Sequence, residues 1–218
     1  MRRFLRENGL SVALFALFLF SLIGQSIAGW HTFDDDQREH GAAPLGYLRY
    51  LGSGHFVEAV FENWESEFLQ MAAFVLMTVV LRQKGSSESK PLSEEKSQRT
   101  RVSRRKDAPL PARRGGLLLK VYENSLSIAL ALLFLLSFGL HALGGASEEN
   151  RERALHREAR ISVPEYVGSS KFWFESFQNW QSEFLSVGVL IVLSIFLRQK
   201  GSPQSKEVAE PHAKTGTD

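Results

Sequence analysis

Asn63-Trp64-Glu65-Ser66-Glu67-Phe68-Leu69 returns 116 positions later as Asn179-Trp180-Gln181-Ser182-Glu183-Phe184-Leu185. The same offset carries Glu7-Asn8 onto Glu123-Asn124, Tyr50-Leu51-Gly52-Ser53 onto Tyr166-Val167-Gly168-Ser169, and residues 81–86 onto residues 197–202. No insertion separates these blocks. Self-similarity at one fixed offset means a single structural unit used twice, so the architecture follows from reading one half.

Working outward from the repeated block, each half holds two apolar stretches. Residues 10–29 and 126–145 are twenty residues each without a charge, the length needed to cross ~30 Å of hydrocarbon at about 1.5 Å per residue. The mean hydropathy of −0.14 hides them, because charge is concentrated between them. Arg2, Arg3 and a small-residue run at Ser26-Ile27-Ala28 also suit a signal peptide. The twin at 126–145 lies in mid-chain, so the first stretch is expected to be retained as an anchor. The second pair, residues 68–81 and 184–197, is only fourteen residues long. Extended back to Phe61 and Phe177, each becomes a helix of about 31 Å. Trp64 and Trp180 then stand as aromatic anchors at one interface, with Arg82, Lys84, Arg198 and Lys200 as basic anchors at the other.

Charge sets the expected orientation. The segment 82–120 carries twelve Lys or Arg against four acids, whereas the first loop opens with Asp34-Asp35-Asp36. By the positive-inside rule the two termini and the central linker are cytoplasmic. The sequence therefore predicts an all-α polytopic membrane protein with four transmembrane helices, arranged as two tandem parallel helical-hairpin repeats. Repeat A covers 1–86, with helices near 10–29 and 61–81. A basic cytoplasmic linker expected to be disordered follows at 87–116. Repeat B covers 117–202, with helices near 126–145 and 177–197, and a cytoplasmic tail expected to be disordered ends the chain at 203–218.

On a helical wheel, Asn63, Glu67, Gln70 and Thr78 share one face of the second helix, and Asn179, Glu183, Ser186 and Ser194 repeat it in the fourth. A polar stripe in a membrane helix is expected to face the bundle interior. Two readings follow: Glu67 and Glu183 bind a proton or cation along a polar path, or they orient the hairpin near the headgroups, one turn from Trp64 and Trp180. Ser11, Ser21 and Gln25 match Ser127, Ser137 and His141 on the other pair. His55, Glu58 and Glu62 share a helical face, but Lys171, Phe174 and Gln178 occupy the matching positions, so no paired metal site follows. Cysteine is absent, which excludes disulfides and thiolate zinc sites. No phosphate loop, nucleophile elbow or His-Glu-x-x-His is present. No catalytic residue, cofactor or metal is therefore expected, and the chain is not read as an enzyme. The expected partners are the bilayer, anionic lipid at the basic linker, and either further copies of the chain or another membrane protein. Nucleic acid is not expected, because the basic cluster at 99–106 lacks interleaved aromatic residues.

With Arg6-Glu7-Asn8-Gly9-Leu10-Ser11, Gly52-Ser53-Gly54-His55-Phe56, Phe172-Trp173-Phe174-Glu175-Ser176-Phe177 and the paired Asn-Trp blocks in view, the chain resembles a bacterial family of uncharacterised integral membrane proteins, known as a domain of unknown function. The resemblance implies a multi-pass protein of the bacterial cytoplasmic membrane and transfers no catalytic residue. A structural or interaction role in the envelope is the first expectation, and a small transporter or channel using Glu67 and Glu183 is the alternative.

Overall fold

A computed structural model describes residues 2–90 and 108–216. Eight helices occupy the described residues: α1 (Arg2–Glu39), α2 (Tyr47–Tyr50), α3 (Gly54–Val80), α4 (Leu110–Arg114), α5 (Gly116–Glu123), α6 (Ser125–Leu155), α7 (Val163–Val167) and α8 (Ser170–Phe196). No strand occurs among those residues. The helices α3 and α8 are both 27 residues long, and their first and last residues are each separated by 116 positions.

Three helices, α1, α6 and α8, are long and apolar enough to cross a membrane. Of the four helices expected to cross, α3 falls short of that measure. Its first half carries Glu58, Glu62, Glu65 and Glu67, whereas α8 has Phe174, Gln178 and Gln181 at the first three matching positions and keeps only Glu183. The deciding difference lies in the apolar half, where α3 has Gln70, Met71, Ala73 and Met77 against the more apolar Ser186, Val187, Val189 and Leu193 of α8. The helices near 10–29 and 126–145 also run farther than expected, to Glu39 and Leu155.

The chain forms two compact units. The first comprises residues 1–61 and 139–172, and the second residues 62–138 and 173–218. In the first unit, Tyr50 and Tyr166 are fully buried. Each lays its phenol against a helical glycine: a Cβ built on Gly29 would stand 2.3 Å from Tyr50 Oη, and one on Gly145 2.3 Å from Tyr166 Oη. Asp34 Oδ1 accepts the Leu45 amide at 2.8 Å, and Asn150 Oδ1 accepts the Ile161 amide at 2.8 Å. Ser53 Oγ caps the Phe56 amide at 3.2 Å, and Ser169 Oγ caps that of Phe172 at 3.3 Å. All three contacts recur at the sequence offset. The acidic run is shared among partners: Asp34 holds the loop, Asp35 pairs with Arg38 at 3.3 Å, and Asp36 pairs with Arg151 at 3.1 Å. Arg151 also reaches Glu148 at 2.7 Å and lies 4.8 Å above the buried ring of Phe33.

In the second unit the tail is built onto the helix ends. Of the linker expected to be disordered, 91–107 lies outside the described residues, and 108–116 includes α4. The tail expected to be disordered is described through residue 216 and carries turns between 203 and 213. Lys206 is buried, its ammonium donating to the carbonyls of His212 at 2.9 Å, Lys214 at 3.0 Å and Pro211 at 3.4 Å, which uses all three N–H groups. The Gly85 amide donates to Thr215 Oγ1 at 2.9 Å, and the Gly216 amide to the Ser86 carbonyl at 2.9 Å.

Gly85 has φ +86°, and a Cβ there would lie 2.6 Å from the His212 carbonyl oxygen. Gly201 has φ +84° with open space around it. Gly85→Ala therefore combines left-handed strain with a backbone clash, together about 2–4 kcal/mol, whereas Gly201→Ala carries only the strain of about 1–2 kcal/mol. Limited proteolysis is expected to cleave within 203–216 in the Gly85 variant and to spare that segment in the Gly201 variant. Equal cleavage in both would refute the docked tail.

Candidate functional site

The second unit contains every residue of the expected polar stripe. On α3, Asn63 and Glu67 are exposed, while Gln70 and Thr78 are half-buried. Thr78 Oγ1 returns to the Val75 carbonyl at 2.9 Å. On α8, Asn179 and Glu183 are half-buried, Ser186 is exposed, and Ser194 is buried. Ser186 Oγ donates to the Glu183 carbonyl at 2.8 Å, and Ser194 Oγ to that of Ile191 at 2.9 Å. These hydroxyls satisfy their own helix, as Ser and Thr do within helices. The carboxylates of Glu67 and Glu183 lie near enough to repel each other.

Apart from Ser194, the buried polar groups of this unit are different ones. Glu65 and Ser66 are buried, Glu65 completely. Glu65 Oε1 accepts the Trp180 indole N–H at 3.0 Å. Asn179 Nδ2 donates to Glu62 Oε1 and, at 3.1 Å, to the Glu175 carbonyl. Trp180 is thus held by a carboxylate and packed among Phe177, Trp173 and Phe134, at centroid distances of 5.4, 6.2 and 6.5 Å. Trp64, the other expected aromatic anchor, is half-buried. Sequence reasoning missed Glu65 and weighed Glu62 only as a possible metal ligand; both lie on α3 outside the stripe. The available signal was that their matched positions are Gln178 and Gln181, so the halves differ in charge there.

Basic anchors close the helix ends. Arg82 Nη1 donates to the carbonyls of Leu81 at 3.1 Å and Val79 at 3.3 Å, and Arg198 Nη1 to those of Leu197 at 2.8 Å and Ile195 at 3.2 Å. Both satisfy terminal carbonyls and place positive charge where the helix dipole is negative. Lys84 and Lys200 are exposed. Gly85 and Gly201 adopt a left-handed backbone five residues beyond the last helical residue, so they shape a turn and do not cap the helix.

In the first unit, His55, Glu58 and their neighbours make separate contacts. His55 Nδ1 meets the Tyr50 hydroxyl at 3.1 Å, and Glu58 Oε1 accepts the Tyr166 hydroxyl at 2.9 Å. Burial, reinforced by the negative charge of Glu148, pushes the Tyr50 phenol up to about 12, so it stays a neutral hydrogen-bonding group. His141 is fully buried and stacks on Phe172 at 4.7 Å. The Glu58 carboxylate and the His141 imidazole bring their oxygen and nitrogen within 4.8 Å. Gln25 Nε2 donates to the Ala59 carbonyl at 3.4 Å.

The whole arrangement, from the first residue through residue 217, matches the family described as Domain of unknown function (DUF6766). The chain belongs to that family. No curated protein and no solved structure matches it. Family membership and helices apolar enough to span a bilayer together fit a membrane protein whose molecular function is unknown.

Proposed function

We propose that this member of the family is a four-helix integral membrane protein of the bacterial cytoplasmic membrane with a structural or interaction role and no catalytic activity. One observation carries the reading: the apolar faces of the long helices are uncovered. Only 6% of the apolar window of α1, 22% of that of α6 and 6% of that of α8 is buried. Leu10, Phe20, Leu132 and Leu185 are each more than half exposed. Apolar surface on that scale is costly in water and free of cost against lipid chains or a partner helix. The equal lengths of α3 and α8 and the contacts recurring at one offset support two tandem hairpin repeats, with α3 crossing beside its more apolar counterpart. The termini and the basic linker then lie on the cytoplasmic face, where anionic lipid attracts them. The partner is a further copy of the chain or another membrane protein.

The cysteine-free sequence supplies the test. The protein is expected to stay in the membrane pellet after alkaline carbonate washing. In intact cells, Ser147→Cys should react with a membrane-impermeant thiol reagent and Ser97→Cys should not. Release by carbonate refutes a membrane protein. The reversed labelling pattern means that α3 does not cross.

A second reading, a small transporter or channel, is favoured by the proximity of Glu67 and Glu183. It requires water at depth, so Thr78→Cys and Ser194→Cys should react from outside. Silence at both positions removes it.

A further inference from the structure

The second unit contains a cavity of about 230 Å³ at the end of α3. Phe74, Met77, Leu81 and Ile191 form its apolar walls, while Arg82 and Glu88 add opposite charges to the same lining. The serines of the lining are already engaged: Ser86 Oγ lies 3.1 Å from Ser194 Oγ, and Ser89 Oγ accepts the Gln83 amide at 2.9 Å. They build the wall, and the two charged groups remain to meet a ligand. Arg82 is tied to the helix end through Nη1 alone, with further N–H donors on the guanidinium. Glu88 is half-buried, and no cation pairs with it among the described residues. Burial pushes its carboxyl above the usual range. Beside the cavity, Leu76 and Val80 are 54% and 73% exposed and extend the apolar surface along α3.

We propose that this cavity holds one phospholipid whose headgroup carries both a phosphate and a primary ammonium, of the phosphoethanolamine type. Arg82 takes the phosphate, Glu88 takes the ammonium, and the walls take the start of an acyl chain that continues over Leu76 and Val80. Charge complementarity selects this occupant. A fatty acid satisfies Arg82 and leaves Glu88 unmatched, a phosphatidylglycerol sets an uncharged glycerol against Glu88, and a quaternary ammonium has no N–H to donate to it. The inference rests on the membrane reading above.

The test uses the full chain in nanodiscs of equal phosphatidylethanolamine and phosphatidylglycerol, with bound lipid counted by native mass spectrometry. One phosphatidylethanolamine per chain is expected, enriched about tenfold over phosphatidylglycerol, the ratio given by one favourable charge contact of about 1.4 kcal/mol. Glu88→Gln keeps the shape and should abolish the enrichment, and Thr78→Trp should fill the cavity and remove the lipid. Retention of both lipids alike, no retained lipid, or a Glu88→Gln variant with unchanged preference overturns the proposal. A chain that stays in the membrane pellet yet carries no lipid refutes this inference alone. Release by carbonate refutes the membrane reading beneath it.

Discussion

Gly144→Val is expected to abolish stable folding, and Gly144→Ala to lower stability by about 2–4 kcal/mol. A Cβ on Gly144 would stand 2.5 Å from the Glu58 amide nitrogen, 3.0 Å from Glu58 Cα and 3.0 Å from the Val57 carbonyl carbon. These atoms belong to the backbone of α3, so no side chain can rotate away. Gly54 shows the reciprocal approach, with an added Cβ 2.7 Å from both the Glu148 nitrogen and the Gly144 oxygen. Two helices meet here backbone to backbone, as small residues allow in membrane bundles. Any side chain at residue 144 must push α3 and α6 apart and empty the packing around Tyr166. Gly139, on the same helix, has nothing within 4 Å of a built Cβ. Gly139→Ala should therefore be neutral or gain up to about 1 kcal/mol from helix propensity. Thermal unfolding in mild detergent, followed by circular dichroism, separates the two. If Gly144→Ala is tolerated as well as Gly139→Ala, the close crossing is wrong.

That crossing illustrates what the sequence disclosed and what it withheld. The helices were legible because apolar length and an exact offset are properties of one chain segment at a time. The crossing was not, because the position matching Gly144 is Ala28, so the repeat points to a small residue at 144 but not to the need for glycine. Asp34 and Asn150 could have been found: both are short side chains able to accept a backbone amide, at matched positions ahead of a loop. The tail offered a signal too. The identity recognised through Ser86 and Ser202 continues to Ser89-Lys90 and Ser205-Lys206. Gln83 N donates to Ser89 Oγ at 2.9 Å, and Gln199 N to Ser205 Oγ at 2.9 Å. Composition alone marked these segments as polar and disordered, because it does not register a lysine whose three donors each find a carbonyl. A helical wheel groups residues by angle but does not say which angle meets a neighbour, so it assembled Asn63, Glu67 and Gln70 and passed over Glu65.

Glu65 and Glu67 therefore make a decisive pair. Glu65→Ala is expected to cost about 2–4 kcal/mol, whereas Glu67→Ala should stay within about 0.5 kcal/mol. Glu65 is fully buried, and its truncation leaves the Trp180 N–H without the carboxylate that accepts it at 3.0 Å, beside a new void. Glu65→Gln keeps an acceptor oxygen and nearly the same volume, so it should retain most of the stability. Glu67 is exposed, and its removal also relieves the repulsion from Glu183. The readout is thermal unfolding followed by tryptophan fluorescence, with Trp180→Phe added to close a double-mutant cycle. Once Trp180 is gone, part of the cost of Glu65→Ala should already have been incurred, giving a coupling of about 1 kcal/mol or more. No coupling means that the Glu65 carboxylate is held by other groups. The reverse order, with Glu67→Ala the more damaging, means that the stripe faces inward after all. The structural reading of Glu67 would then gain over transport, because a carboxylate that carries the stability of the fold is placed for packing and not for cargo.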